Sequence, residues 1–115
     1  MIELNEKVFP CPTSVAMEFI GGKWKSVILF HLISDKKRYN ELRKEIPTLN
    51  ERTLSLQLKQ LEANGLISRK AYFEKPPLKV EYSLTKFGKS LTPILQSITE
   101  WGIIAAQEKG VFIIE

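Results

Sequence analysis

Four side chains between positions 52 and 59 share one face of a predicted helix and can all contact the edges of nucleic-acid bases. They are Arg52, Ser55, Leu56 and Lys59. At about 100° per residue, this face lies roughly opposite the apolar positions 54, 58 and 61. Arginine can pair bidentately with guanine, serine can donate or accept a hydrogen bond, and lysine can reach guanine or a phosphate. The spacing therefore predicts a surface that reads DNA bases.

Leu56 is unusual on such a polar face and has two interpretations. It can contact the methyl group of thymine, or it can be a single exposed leucine without a role, which is common on protein surfaces. Both interpretations stay open on the sequence alone. The whole predicted DNA-binding set extends to neighbouring helix starts and to a basic hairpin: Arg38, Asn50, Arg52, Thr53, Ser55, Leu56, Lys59, Lys75 and Lys79.

Residues for catalysis or metal binding are sparse. His31 is the only histidine and Cys11 the only cysteine, so neither a zinc site nor an internal disulfide is expected. The sequence has no nucleophile with a base, no paired-carboxylate motif and no glycine-rich phosphate loop. It therefore predicts a protein that is not an enzyme, has no cofactor and binds no metal, with His31 in a structural role.

Cys11 precedes a predicted helix N-terminus, where the helix dipole can favour the thiolate. The alternative is a small buried apolar residue. The sequence does not decide between these two interpretations.

The positive charge lies in the middle of the chain. Residues 23 to 79 contain thirteen Lys and Arg against six Asp and Glu, a net +7, whereas residues 1 to 22 carry −2 and residues 80 to 115 carry −1. Such a segment suits a polyanionic partner, although a solvated basic surface has the same composition.

The apolar periodicity and the turn residues predict the elements that position these side chains. A first helix begins at residues 12 to 14 and stops at Gly21, a second spans 23 to 33, a third spans 38 to 45, and a fourth follows the N-cap residue Asn50 and stops at residues 64 and 65. Strands over 67 to 73 and 80 to 84 flank residues 74 to 79, whose two prolines predict an exposed hairpin tip with Lys75 and Lys79. These lysines are expected to contact phosphate.

A last helix begins at Thr85, with Pro93 predicting a kink or a restart. Its apolar stripe exceeds what one small core can bury, so it is predicted to form a homodimer. The predicted interface residues are Leu91, Leu95, Ile98 and Trp101.

Several segments resemble the HxlR-type family of bacterial transcriptional regulators, within the MarR-like winged-helix group. They are Cys11-Pro12, the run from Ile20 to Trp24, the segment from Arg38 to Arg43, the helix from Leu54 to Gly65, and the strand from Val80 to Thr85. The resemblance implies dimeric DNA-binding repressors or activators, some of which respond to oxidants or electrophiles through the cysteine that matches Cys11. Leu56 departs from the polar residue usual in the family.

The expected fold is mainly α with a small β-hairpin: a single winged helix-turn-helix domain over residues 1–115 with a C-terminal dimerisation helix. The helix-turn-helix spans about 38–65, the wing about 67–84 and the dimerisation helix about 85–108. The expected partners are double-stranded DNA and a second copy of the chain, with a small-molecule or oxidant effector of unknown identity. With acidic residues in place of a signal peptide and no membrane span, the protein is expected in the cytoplasm. The alternative is a winged-helix module that binds protein rather than DNA.

Overall fold

Six helices and five short strands form the structure of the chain in its computed structural model, which describes residues 1–72 and 79–114. In chain order they are β1 Ile2–Leu4, β2 Lys7–Phe9, α1 Pro12–Ile20, α2 Lys25–His31, β3 Lys37–Arg38, α3 Tyr39–Glu45, α4 Glu51–Ala63, β4 Ile67–Tyr72, β5 Lys79–Leu84, α5 Lys86–Lys89 and α6 Thr92–Lys109. This is the predicted order of two helices, a helix-turn-helix, a hairpin and a C-terminal helical region. Among these residues, no helix combines the length and apolar character needed to cross a membrane.

An N-terminal hairpin, which the sequence did not predict, precedes α1. Strands β1 and β2 pair antiparallel through a two-residue turn at Asn5 and Glu6, both with positive φ (51° and 65°). Two left-handed residues match the twist of a tight hairpin. Phe9 is buried at the end of β2, and Lys7 Nζ lies 2.8 Å from Glu18 Oε1 on α1. The hairpin is therefore tied to the first helix.

The core lies between α2, α3, α4, the first residues of β4 and the start of α6. Its fully buried side chains are Ile28, Leu29, Leu42, Leu54, Leu58, Leu61, Leu66, Ile67 and Leu95. Helix α2 is shorter at both ends than the predicted 23 to 33. Phe30 is its only exposed residue, in keeping with a helix that is apolar nearly all round.

A three-stranded sheet, in the order β3-β5-β4, forms the base of the wing. In β5, Tyr82 and Leu84 are buried as the alternation predicts. Strand β3 was not predicted; it pairs Lys37 with Tyr82 and Arg38 with Glu81. Strand β3 thus joins the start of the helix-turn-helix to the wing. The predicted hairpin tip, including Lys75, lies outside the described residues, while Lys79 is exposed at the first position of β5.

The predicted helix over 85–108 is two helices, α5 and α6, because the chain breaks after Lys89 and restarts with Pro93 in the first turn of α6. Thr85 fixes the first of them: its Oγ1 accepts a hydrogen bond from Gly88 N at 3.0 Å and donates one to the Gly65 carbonyl at 2.6 Å. A Cβ atom at Gly88 would collide with the carbonyl oxygen of Leu66. Only glycine allows α5 to pack this closely against the end of the helix-turn-helix.

Candidate nucleic-acid interface

Helix α4 has one buried face and one exposed face. Leu54, Leu58 and Leu61 are at most 2% exposed. The amide oxygen of Asn50 accepts the backbone N–H of Thr53 at 2.8 Å and caps the helix N-terminus. Both Asn50 and Thr53, proposed from the sequence as DNA contacts, therefore take part in this cap. The buried stripe and the cap fix the direction in which the other face of α4 points.

The exposed face carries Arg52, Leu56 and Lys59 together. Leu56 is 53% exposed, so it is not part of the core. Among the described residues, no carboxylate lies within ion-pairing distance of Arg52 or Lys59. The face therefore presents two cations and one apolar side chain to solvent, which matches the surface expected from the spacing.

Ser55, the fourth residue of that face, is exposed but held by α3. The Tyr39 hydroxyl donates to the Glu51 carbonyl at 3.0 Å and lies 3.1 Å from Ser55 Oγ. A tyrosine hydroxyl has one proton. Since Tyr39 gives that proton to Glu51, Ser55 must donate the second bond and keeps only acceptor capacity towards a ligand. The sequence had left Ser55 free to act as donor or acceptor.

Two further contacts fix α3 relative to its neighbours. Arg43 Nη1 lies 3.2 Å from Glu51 Oε1, which joins α3 to the first turn of α4. The backbone N–H of Arg38 donates to Glu41 Oε1 at 2.9 Å and caps the start of α3. The Arg38 side chain, another predicted DNA contact, is exposed at this helix start.

Glu45 at the end of α3 bridges two other elements. Its Oε1 lies 3.0 Å from His31 Nδ1 on α2, and its Oε2 lies 3.0 Å from Lys37 Nζ on β3. Hydrogen bonding from His31, followed by that from Lys37, holds the pKa of the Glu45 carboxyl below its ordinary value. His31 thus makes a structural contact, as the sequence suggested.

A cleft of about 370 Å³ separates α4 from the wing. The helix contributes Ser55, Leu58, Lys59 and Glu62, and the wing strands contribute Arg69 and Tyr82. Arg69 was not among the DNA contacts predicted from the sequence. The signal that could have revealed it is its position in the alternation of β4, on the same side as the buried Ile67.

Cys11 is exposed at the N-cap position of α1. Its Sγ lies 3.7 Å from Ser14 Oγ. Hydrogen bonds from the backbone and side chain of Ser14 lower the pKa of the Cys11 thiol. The interpretation of Cys11 as a buried apolar residue is therefore wrong. Within the described ranges, no cluster of three or more His, Cys, Asp and Glu is placed to hold a metal ion.

The predicted dimer residues divide into two groups. Leu95 is 1% exposed and belongs to the core of the single chain, and Leu91 packs against that core. The prediction that Leu95 lies at a dimer interface is therefore corrected, because a partner could not contact this side chain without unpacking the protomer. Ile98 and Trp101 are 44% and 69% exposed. Three further isoleucines of α6 are exposed: Ile94, Ile103 and Ile104.

Comparisons of the sequence and of the structure with known proteins both find similarity to transcriptional regulators. Residues 19–109 match the family described as HxlR-like helix-turn-helix. An uncharacterized HTH-type transcriptional regulator, YybR of Bacillus subtilis (strain 168), is 49% identical over 92 residues, covering 80% of this chain and 73% of YybR. The redox regulator HypR in its oxidized form superposes with a TM-score of 0.78 at 47% identity, covering 82% of this chain and 96% of HypR. The reduced form of the transcriptional regulator YodB from B. subtilis has a TM-score of 0.70 at 31% identity, covering 86% and 94%.

Proposed function

Because the chain belongs to the HxlR-like helix-turn-helix family, whose relatives are transcriptional regulators, we propose that it binds specific DNA sites with α4 in the major groove. The observation that carries this proposal is the outer face of α4, where Arg52, Leu56 and Lys59 are exposed together while the opposite leucines are buried. In helix-turn-helix proteins the second helix of the motif contacts base edges. We assign base reading to this face and phosphate binding to the wing lysines, of which Lys79 is described and exposed.

The experiment selects binding sites from a random DNA pool and compares binding of wild type and Arg52→Ala to the selected and to scrambled duplexes. Arg52→Ala should lose on the order of 1–3 kcal/mol on the selected site and relax the preference at one base pair. Lys86→Ala on α5 is a control with the same charge change. A wild-type protein that selects no sequence, or an Arg52→Ala variant with full affinity and selectivity, contradicts this assignment. The first result would favour the alternative of a protein-binding module.

The protein acts as a homodimer in this proposal. The support is the exposed apolar face of α6, with Ile94, Ile98 and Trp101, because a monomer seldom leaves such a contiguous surface in water. A two-fold axis through this face would present two copies of α4 to two half-sites. Sedimentation at micromolar concentration and two-fold symmetry in the selected sites test this arrangement, and a monomer bound to asymmetric sites contradicts it.

Cys11 is the proposed sensor of oxidants or electrophiles. It is exposed, and hydrogen bonds from Ser14 lower the pKa of its thiol, so more of the reactive thiolate forms at neutral pH. One similar structure is that of a redox regulator. DNA affinity should change on oxidant treatment in wild type and stay constant in Cys11→Ser. An equal response of both proteins removes Cys11 from this role.

No catalytic activity and no cofactor belong to this proposal. The relatives are regulators rather than enzymes, and the site consists of contacts suited to DNA. Because the proposed partner is chromosomal DNA, we also propose that the protein works in the cytoplasm.

A further inference from the structure

An apolar groove of about 160 Å³ lies between α2 and α6. Phe30 lines it from α2, and Ile98 and Thr99 line it from α6. We propose that Phe112 of a second copy of this chain occupies the groove. This inference rests on the proposed homodimer and deepens it, because it assigns the segment that follows α6, residues 111–114, to the interface.

The volume of the groove suits one aromatic ring. In other proteins, an apolar cavity of about 150 Å³ lined by leucine, isoleucine and phenylalanine binds benzene. Phe30 on the α2 side is 39% exposed and Ile98 on the α6 side is 44% exposed. Each of these two side chains therefore has a free apolar surface that the ring of Phe112 would cover.

The groove has little to offer a polar ligand. Ser26 Oγ already donates to the Ile20 carbonyl at 3.1 Å. Thr99 Oγ1 likewise donates to the Leu95 carbonyl at 3.1 Å. Among the described residues, none that lines the groove is charged. An apolar side chain is therefore a better occupant than a polar or charged molecule, whose desolvation the groove would not compensate.

Segment 111–114 carries the matching apolar surface. Its residues are all large and apolar, and they are between 64% and 96% exposed: Val111, Phe112, Ile113 and Ile114. The segment also lies beyond residues 19–109, which match the family. A run of exposed apolar side chains of this kind is typical of a surface that another molecule covers.

Phe112 cannot reach the groove of its own chain. The middle of the groove, between Leu95 and Thr99, lies about 18 Å from Lys109 along the axis of α6. The three residues from Lys109 to Phe112 span at most about 10 Å when fully extended, and a reversal of the chain would use part of that length. An occupant from segment 111–114 must therefore come from another copy.

Two-fold symmetry supplies an arrangement that meets this requirement. Two copies of α6 packed antiparallel, with the axis near residues 104 to 106, bring Phe112 of each copy to the groove of the other. Trp101 and Ile104 lie close to such an axis and are 69% and 52% exposed. The arrangement therefore covers these two side chains and both grooves at once.

The area of the interface gives a second reason to include the segment. The exposed parts of Ile94, Ile98 and Trp101 amount to on the order of 400 Å². A standard interface buries about 800 Å² on each partner. The face of α6 thus supplies only part of what a stable dimer needs, and segment 111–114 adds apolar area of comparable size.

The first test compares Phe112→Ser with Leu56→Ser, which removes an apolar side chain that is 53% exposed on α4. Sedimentation without DNA should give a dimer Kd about tenfold or more above wild type for Phe112→Ser and an unchanged Kd for Leu56→Ser. A Phe112→Ser protein that dimerises as wild type does overturns this inference but leaves a dimer through α6 intact. A wild-type protein that stays monomeric overturns both.

Thr99→Phe tests the groove itself. The introduced ring should fill the groove from its own chain and exclude Phe112 of the partner, so this variant should also raise the dimer Kd. Adding Phe112→Ser to Thr99→Phe should then weaken the dimer no further, because the contact is already lost. Effects of the two substitutions that simply add would show that Phe112 binds elsewhere.

A crosslinking experiment tests whether the contact joins two copies. Phe112 is replaced by the photoreactive p-benzoylphenylalanine in a ¹⁵N-labelled protein, which is mixed with unlabelled wild type and irradiated. Mass spectrometry should find a crosslink from the labelled segment to the unlabelled peptide that contains Phe30. Crosslinks confined to a single chain, or to other surfaces of the partner, overturn the assignment.

Toluene distinguishes a groove filled by Phe112 from one that is open to a small apolar ligand. Saturation-transfer NMR should detect toluene binding to Phe112→Ser, in which the groove is empty, and much weaker binding to the wild-type dimer. Equal binding to both proteins would mean that the groove is open in the dimer, and this result overturns the proposal.

Discussion

Helices α4 and α6 are both amphipathic, yet the protomer buries the apolar face of α4 and leaves much of the apolar face of α6 exposed. The three leucines of α4 are buried within the protomer, and its exposed face is polar apart from Leu56. In α6, an 18-residue helix, Leu95 is the only buried residue, while Ile98 and Trp101 remain exposed. The first helix is held in place by its own chain and is free to present a surface. The second is only partly covered by its own chain, and its exposed apolar residues are the surface that the proposed dimer would cover.

The largest effect should come from the buried side of α4. Leu54→Ala should lower the free energy of unfolding by about 2–5 kcal/mol, because it leaves a cavity in the core. Leu56→Ala, the same substitution two residues away on the exposed face, should change it by no more than about 0.5 kcal/mol. Urea denaturation measures both. Similar losses for the two variants would contradict the division of α4 into a buried and an exposed face.

The next effect concerns the uncovered side of α6. Trp101→Ala should weaken the proposed dimer by about 2 kcal/mol, a roughly thirtyfold higher Kd, because a large aromatic side chain is lost from the proposed contact. Leu95→Ala should instead lower the stability of the protomer, since this residue belongs to its core. Sedimentation together with urea denaturation separates the two outcomes. A Trp101→Ala protein that dimerises as wild type does would contradict a dimer interface centred on Trp101.

A smaller effect should follow from the link between α3 and α4. Tyr39→Phe removes the hydroxyl that contacts Glu51 and Ser55, and should cost about 0.5–1.5 kcal/mol of stability. Tyr72→Phe removes a hydroxyl from the wing and serves as the matched control. Amide exchange at the start of α4 should speed up in the first variant alone. Equal changes in both variants would mean that the Tyr39 hydroxyl does not hold α4.

The smallest expected effect is the pH dependence contributed by Glu45. Its pKa is lowered in the folded protein by His31 and Lys37. The carboxylate therefore contributes stability above the pKa of an unfolded glutamate, and this contribution is lost as pH falls through the lower folded value. Wild type should lose more stability than Glu45→Gln on acidification from about pH 5 to pH 2. Parallel stability curves would show that the contacts of Glu45 add nothing.

The sequence predicted the long elements well, because their signals repeat. Helix α4 has a stripe of leucines, the N-cap Asn50, and Gly65 at its end with a φ of 75°. Strand β3, with two residues, and the three-residue strands of the N-terminal hairpin are too short to show an alternation. They depend on partners that lie elsewhere in the chain.

The candidate site could be predicted only where the side chains follow helix periodicity. Arg52, Leu56 and Lys59 share a face because they are neighbours along one helix. The bond between Tyr39 and Ser55 joins residues sixteen apart, and Arg69 meets α4 through the folding of the wing. The apolar stripe of the last helix likewise indicated an excess of apolar surface, but it could not show that Leu95 is buried by its own chain. Such contacts are set by tertiary packing, which the periodicity within a single element does not report.

The tight packing of Gly88 under Leu66 has a consequence for how such a regulator could evolve. Seven residues, from Thr85 to Leu91, connect wing strand β5 to α6, and the contacts of Thr85 and Gly88 leave this connector no slack. In the proposed dimer, the connector therefore fixes the distance between the two copies of α4, and with it the spacing of the two operator half-sites. The base sequence of each half-site depends instead on a few exposed positions of α4. After gene duplication, substitutions in this one helix could change the preferred base sequence while the half-site spacing is inherited unchanged, so the two properties can diverge at different rates.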